Sequence, residues 1–121
     1  MKQELSKSNR VAFETFFKIM ETWAVPQDTQ LILLGNLPLS NFLNAKKGKF
    51  TEINLDVIRK IACLIGIYKF LRILFHSKTQ ADTWIHRPNK AFENLSALEF
   101  MLKDDKKNID QVYIYLRAQL V

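Results

Sequence analysis

Few residues in this chain carry the reactive side chains of an enzyme. The single cysteine, Cys63, and the two histidines, His76 and His86, are scattered among apolar and charged neighbours. That set does not supply the ligands of a zinc site at the usual spacing. Asp82 and His86 stand one helical turn apart, a spacing that suits an acid–base dyad and, more commonly, an ion pair along a helix. The glycines at 35, 48 and 66 are too far apart to form a phosphate-cradling loop. No catalytic residue, metal ligand or cofactor is expected, and Cys63 reads as a small core filler.

The lysines point elsewhere. Lys and Arg number 18 against 12 Asp and Glu, a formal charge of +6 over 121 residues. Residues 1–50 hold seven basic and four acidic side chains, residues 51–76 four and two, and residues 77–121 seven and six. Residues 29–51 contain no carboxylate, yet Lys46, Lys47 and Lys49 lie there. A basic excess confined to one segment fits an anionic partner docking at that segment. A solvated helix end produces the same pattern.

The elements that position these lysines follow from apolar spacing. Phe13, Phe16, Phe17 and Met20 fall at i, i+3, i+4 and i+7, predicting a helix over about residues 9–23. Pro26 opens a second helix, with Asp28 near its start, and Gly35 ends it. After Gly35, Asn36 and Leu37, Pro38 opens a third helix that runs to Lys46 or Lys47. Two short helices joined by a tight glycine-containing turn form the helix-turn-helix pattern. Leu39, Phe42 and Leu43 are expected to pack inward. Ser40, Asn41, Asn44, Lys46 and Lys47, followed by Lys49, are left to face base edges and phosphates.

Asn54 caps a fourth helix with two apolar stripes: Leu55, Ile58, Ala62 and Ile65, and Val57, Ile61 and Leu64. Arg59, Lys60 and Lys69 are expected in solvent, and Gly66 is expected to break or bend the helix before a fifth reaches Phe75. Ser77 caps a sixth helix to about His86, ended by Arg87-Pro88. Ser96 and Glu99 have capping-box spacing for a seventh, to about Leu102. The last runs from Asn108, with Ile109, Val112, Leu116 and Leu120 inward. About eight helices, an all-α protein, are expected. Hydrophobic residues at 48% are too many for a disordered chain, and three Gly with three Pro are too few for an all-β one. The polar residues 1–10 do not read as a signal peptide, and the lone cysteine fits a reducing, cytoplasmic setting.

The order of motifs resembles the Xre/MbcA/ParS family of antitoxins. The strings that carry the likeness are Leu33-Leu34-Gly35, Lys47-Gly48, Ile58-Arg59-Lys60-Ile61 and Leu64-Ile65-Gly66-Ile67-Tyr68-Lys69. The run Phe70-Leu71-Arg72-Ile73-Leu74-Phe75 continues it, and Ala81-Asp82-Thr83-Trp84-Ile85 with Pro88-Asn89 resembles the family's toxin-binding domain. The likeness covers residue 22 to the end. The family's Phe-Gly-x-Ser-Pro-Leu segment appears here as Phe92-Glu93-Asn94-Leu95-Ser96-Ala97-Leu98, without its Gly or Pro.

That resemblance implies an all-helical, dimeric antitoxin of a type II module. Such a protein neutralises a RES-domain, NAD-consuming toxin by occluding its active site, and binds operator DNA through the helix-turn-helix. The DNA face would be Ser40, Asn41, Asn44, Lys46, Lys47 and Lys49, in a part spanning 1–76. The toxin face would be Arg87, Asn89, Tyr113, Arg117, Gln119 and Val121, in a part spanning 77–121. The altered 92–107 segment leaves a second expectation open, a stand-alone helix-turn-helix regulator without a toxin partner.

Overall fold

The structure, a computed structural model, describes residues 7–35, 37–49 and 54–120. Among them the chain forms seven α-helices: α1 (Lys7–Thr22), α2 (Gln27–Leu34), α3 (Leu39–Lys46), α4 (Leu55–Leu74), α5 (Lys78–Thr83), α6 (Ala97–Lys103) and α7 (Asn108–Gln119). Two single 3₁₀ turns, Trp84–His86 and Lys90–Phe92, join α5 to α6. The described residues form no strand, and an isolated bridge pairs Pro88 with Ser96. The protein is all-α, as expected. Asn36 of the α2–α3 turn and Val121 lie outside the described residues.

Two compact units divide the chain, one up to Ile65 and the other from Gly66. This division by packing falls inside α4, whereas the division expected by function falls after His76.

In the first unit, α1 buries Phe13, Phe16, Ile19 and Met20 on one stripe. Phe17 meets Phe42 of α3 edge-on at 5.5 Å. α1 ends where Ala24 takes a positive φ of 54°. There Val25 N–H donates to the Met20 carbonyl and Ala24 N–H to that of Glu21, a Schellman arrangement with alanine in the position glycine usually fills. Pro26 and Pro38 precede α2 and α3 in extended geometry, and their carbonyls accept the first helical hydrogen bonds. Gly35, at φ 75°, ends α2 as its residue type predicts.

Lys60 departs from expectation. It is buried, not solvated. Its Nζ lies 3.4 Å from the Leu34 carbonyl and 3.2 Å from Asp56 Oδ2. An ammonium there meets the negative C-terminal end of α2, a favourable placement, while its stem covers apolar surface. Asp56, one turn earlier, balances the charge.

α4 starts at an Asn54 cap, whose Oδ1 accepts the Asp56 N–H at 2.7 Å. It then runs unbroken through Gly66, so the expected fourth and fifth helices are one. The stripe that fixes it is Val57, Ile61, Leu64, Ile67 and Leu71, all buried. The other expected stripe faces outward at its start, with Leu55 exposed and Ala62 likewise.

Gly66 has a packing reason instead of a breaking role. A Cβ there would lie 2.5 Å from Cε2 of Tyr113, so the ring of α7 occupies the space that glycine leaves.

The second unit closes around aromatic rings. Phe92 stacks on Phe100 at 5.1 Å and meets Tyr115 edge-on at 5.1 Å. Ser77 caps α5 through the Gln80 N–H, and α5 with its 3₁₀ continuation covers the expected sixth helix. Ser96 and Glu99 form the expected capping box of α6. Arg72 Nη2 lies 3.0 Å from Asp82 Oδ1 and its guanidinium 4.9 Å from the Tyr68 ring. Asp82 therefore fastens α5 to α4, which accounts for its carboxylate without a His86 dyad. On α7, Ile109, Val112 and Leu116 are buried as expected, but Leu120 is exposed.

Candidate functional site

α3 presents the lysine segment. It is only eight residues long, and its buried contacts are Phe42 and Ala45. Leu39 and Leu43, expected inward, are instead 51% and 38% exposed. The reason is geometric: at about 100° per residue, Phe42 and Ala45 share one side, and the two leucines point away from its centre. Going round the outer arc, the order is Lys46, Leu39, Leu43, Lys47, Ser40, Asn44. Lys47 and Ser40 stand opposite the buried side, with Leu43 next to Lys47.

Of the polar residues expected outward, all but Asn41 are exposed. Ser40, Asn44, Lys46, Lys47 and Lys49 are exposed, and Asn41 is half-buried at the edge. Ser40 Oγ lies 3.4 Å from Asn41 Oδ1. Lys46 Nζ sits 5.8 Å from the Phe42 ring centroid, a cation–π contact that steers its stem along the helix.

The helix ends in a hook. Lys49 N–H donates to the Asn44 carbonyl at 2.8 Å and Gly48 N–H to that of Ala45 at 3.0 Å. This is a Schellman motif, as at the end of α1, but Gly48 occupies the left-handed position at φ 80°. Nothing lies near the place where a Cβ would stand at Gly48. Glycine is there for its backbone, which turns the chain so that Lys46, Lys47 and Lys49 follow one another around a single helix end. A row of exposed ammonium groups in a segment whose sequence, 29–51, holds no carboxylate can hold successive phosphates.

The second residue set is not brought together in the same way. Arg87 is exposed and donates to Thr83 Oγ1 at 3.0 Å. Asn89 is occupied by its own loop: its Oδ1 accepts the Ala91 N–H, its N–H donates to the Leu95 carbonyl, and its carbonyl accepts from Phe92 and Asn94. Tyr113 packs on Phe70 at 5.1 Å and carries the Arg117 guanidinium over its ring at 5.6 Å. Gln119 lies on the other flank of α7's buried stripe, beside Tyr115. With Leu74, Phe75, Trp84 and Leu116 these two line a cavity of about 270 Å³. Trp84 and Tyr115 face each other there almost in parallel, at 19° and 6.4 Å.

The loop before α6 turns on left-handed backbone. Glu93 and Asn94 both take left-handed backbone, at φ 59° and 64°. Glu93 thus carries a side chain in backbone that favours glycine, a strained position. Its carboxylate pairs with Lys103 Nζ at 2.9 Å. Within α6's cap, the backbone N–H of Ser96, and then its hydroxyl, hold the Glu99 carboxyl below its usual value.

Among the described residues no group of three His, Cys, Asp or Glu side chains could hold a metal ion. None of their helices is long and apolar enough to cross a membrane.

Fold and surface together define an all-helical protein in which a short helix pair leads into an exposed basic hook. The chain is 40% identical over 106 residues to the uncharacterized protein y4oB of Sinorhizobium fredii, covering 88% of this chain and 81% of that one. It belongs to the same family as y4oB. No family model and no solved structure matches it.

Proposed function

We propose that this protein is the antitoxin of a type II toxin–antitoxin module, acting by binding and not by catalysis, without a cofactor. One part binds operator DNA through α2 and α3, and the other binds and occludes a RES-domain, NAD-consuming toxin in the cytoplasm. The observation that carries the reading is the α3 arc, carboxylate-free and ending in three exposed lysines on a glycine-set hook. Homodimerisation is part of the proposal.

The toxin half rests on the resemblance of the second half of the chain. Ile73 and Ile114, at 67% and 52% exposed, leave apolar surface available to a protein partner. Arg117 and Gln119 stand exposed on α7, the helix that carries Ile114. A specific observation keeps the stand-alone regulator in view. Asn89 is tied into its own loop through Oδ1, and Tyr113 and Gln119 flank opposite sides of the buried stripe.

Two experiments test the two halves. Lys46→Ala with Lys47→Ala should weaken duplex binding in a gel-shift titration and flatten its dependence on log salt by roughly two units, about one per lysine. Unchanged affinity and slope would overturn the DNA half. Co-expression with a RES toxin encoded beside this chain should rescue growth and yield a copurifying complex. Persistent toxicity with DNA binding intact would favour the stand-alone regulator.

A further inference from the structure

We infer that α3 selects A·T-rich duplex DNA by laying Leu43, with Leu39 beside it, against thymine methyl groups in the major groove. This rests on the DNA-binding reading above and adds what the helix recognises.

The argument starts from the two leucines that the fold leaves outside. Leu43 stands on the arc that would enter a groove, between Lys47 on one side and Leu39 and Lys46 on the other. A leucine side chain can neither donate nor accept a hydrogen bond. Pressed against the polar edge of a G·C pair, it would strip those groups of water and return nothing. The thymine C5-methyl is the apolar group that base edges offer in the major groove, and contact with it suits an aliphatic side chain.

The rest of the arc agrees. Asn44, one position beyond Leu43, is the residue type that pairs with both N6 and N7 of adenine. α3 contains no arginine, the commonest reader of guanine, and no carboxylate to accept from cytosine N4. Asn44 therefore favours adenine and the leucines favour thymine, while Ser40 suits either base. The lysines at the C-terminal end supply phosphate contacts that carry no sequence information. The duplex is the occupant because charge is complementary: carboxylates are missing from residues 29–51, and the exposed Lys46 and Lys47 flank the leucines, with exposed Lys49 in the hook beyond.

The test uses the full chain and a pool of random-sequence duplexes. Selection should enrich runs of A·T pairs. The enriched duplex is then made with deoxyuridine in place of thymidine, which removes only the methyl groups. Wild-type affinity should fall by roughly three- to tenfold, the size expected for one or two buried methyl contacts. Leu43→Ala should bind the thymine duplex nearly as weakly as wild type binds the uracil one, and should lose most of the response to the replacement, keeping only the part that Leu39 supplies. Leu39→Ala should show a smaller version of the same behaviour.

Equal wild-type binding to the thymine and uracil duplexes would overturn the inference and leave DNA binding standing. So would a Leu43→Ala variant as sensitive to uracil as wild type. Enrichment of no duplex at all would remove the DNA-binding reading together with it. Light scattering completes the set. A Leu43→Ala variant that halves its mass in solution would show that a second copy covers the leucines, and would also overturn the inference.

Discussion

On α3, Ser40, Asn44, Lys46 and Lys47 face solvent, while in the segment before α6 the side chains of Asn89, Ser96 and Glu99 close hydrogen bonds onto their own backbone. The first surface is held by its backbone hook and by the burial of Phe42 and Ala45, so its polar side chains are left over. The second is held by its polar side chains, so fewer are left over. A residue that already satisfies an N–H of its own loop loses that bond if it reorients toward a partner. Function and stability should therefore separate at α3 and coincide at the 89–99 segment.

The largest expected effect that sharpens this contrast is at Ser96. Its side chain is buried and accepts the Glu99 N–H at 3.1 Å. Ser96→Ala should lower unfolding free energy by about 1.5 kcal/mol, the upper part of the range for losing an N-cap. Asn44→Ala, on the exposed arc, should stay within about 0.5 kcal/mol of wild type while weakening duplex binding. Urea melts of the two variants decide it. Equal losses in stability would mean that the two surfaces are built alike.

A smaller effect compares two copies of one motif. α1 and α3 both end in Schellman geometry, with Ala24 at φ 54° and Gly48 at φ 80°. Gly48→Ala should cost about 1 kcal/mol, since a Cβ is disfavoured in left-handed backbone even where space is open. It should also loosen the lysine hook and weaken binding. Ala24→Gly should gain about 0.5 kcal/mol, because relief of strain exceeds the added freedom of the unfolded chain. Thermal melts with opposite signs are the expected outcome.

What could be read from the sequence follows the range of the interaction. The caps at Asn54, Ser77 and Ser96, and the glycine at the end of α2, are local, with partners within four residues. They stand where residue type and spacing place them. Gly66, Lys60 and Asp82 were misread because their reasons lie elsewhere in the chain: the ring of Tyr113, the carbonyl of Leu34 and the guanidinium of Arg72. On α3, the exposure of Ser40, Asn44, Lys46, Lys47 and Lys49 was legible from charge and helical period. The side taken by Leu39 and Leu43 was not, because three apolar residues and one alanine leave two possible inward faces. Contact of Phe42 with Phe17 of α1 chooses between them.

The smallest effect concerns acid. The Ser96 N–H lies 3.0 Å from Glu99 Oε1, and that bond, with the Ser96 hydroxyl, keeps the folded-state pKa of Glu99 below its ordinary 4.5. A carboxylate whose folded value is depressed contributes stability that is fully present above the unfolded value and is lost as pH falls through the folded one. The contribution should therefore be constant at neutral pH and disappear below about pH 4.5. Glu99→Gln retains an acceptor for the Ser96 N–H but does not titrate, so the difference in melting temperature between wild type and variant should shrink as pH drops. Residues 29–51 contain no carboxylate to respond in this way. A difference that stays flat from pH 7 to pH 3 would show that the charge of Glu99 does not strengthen the cap, and that the 89–99 segment depends on hydrogen bonding alone.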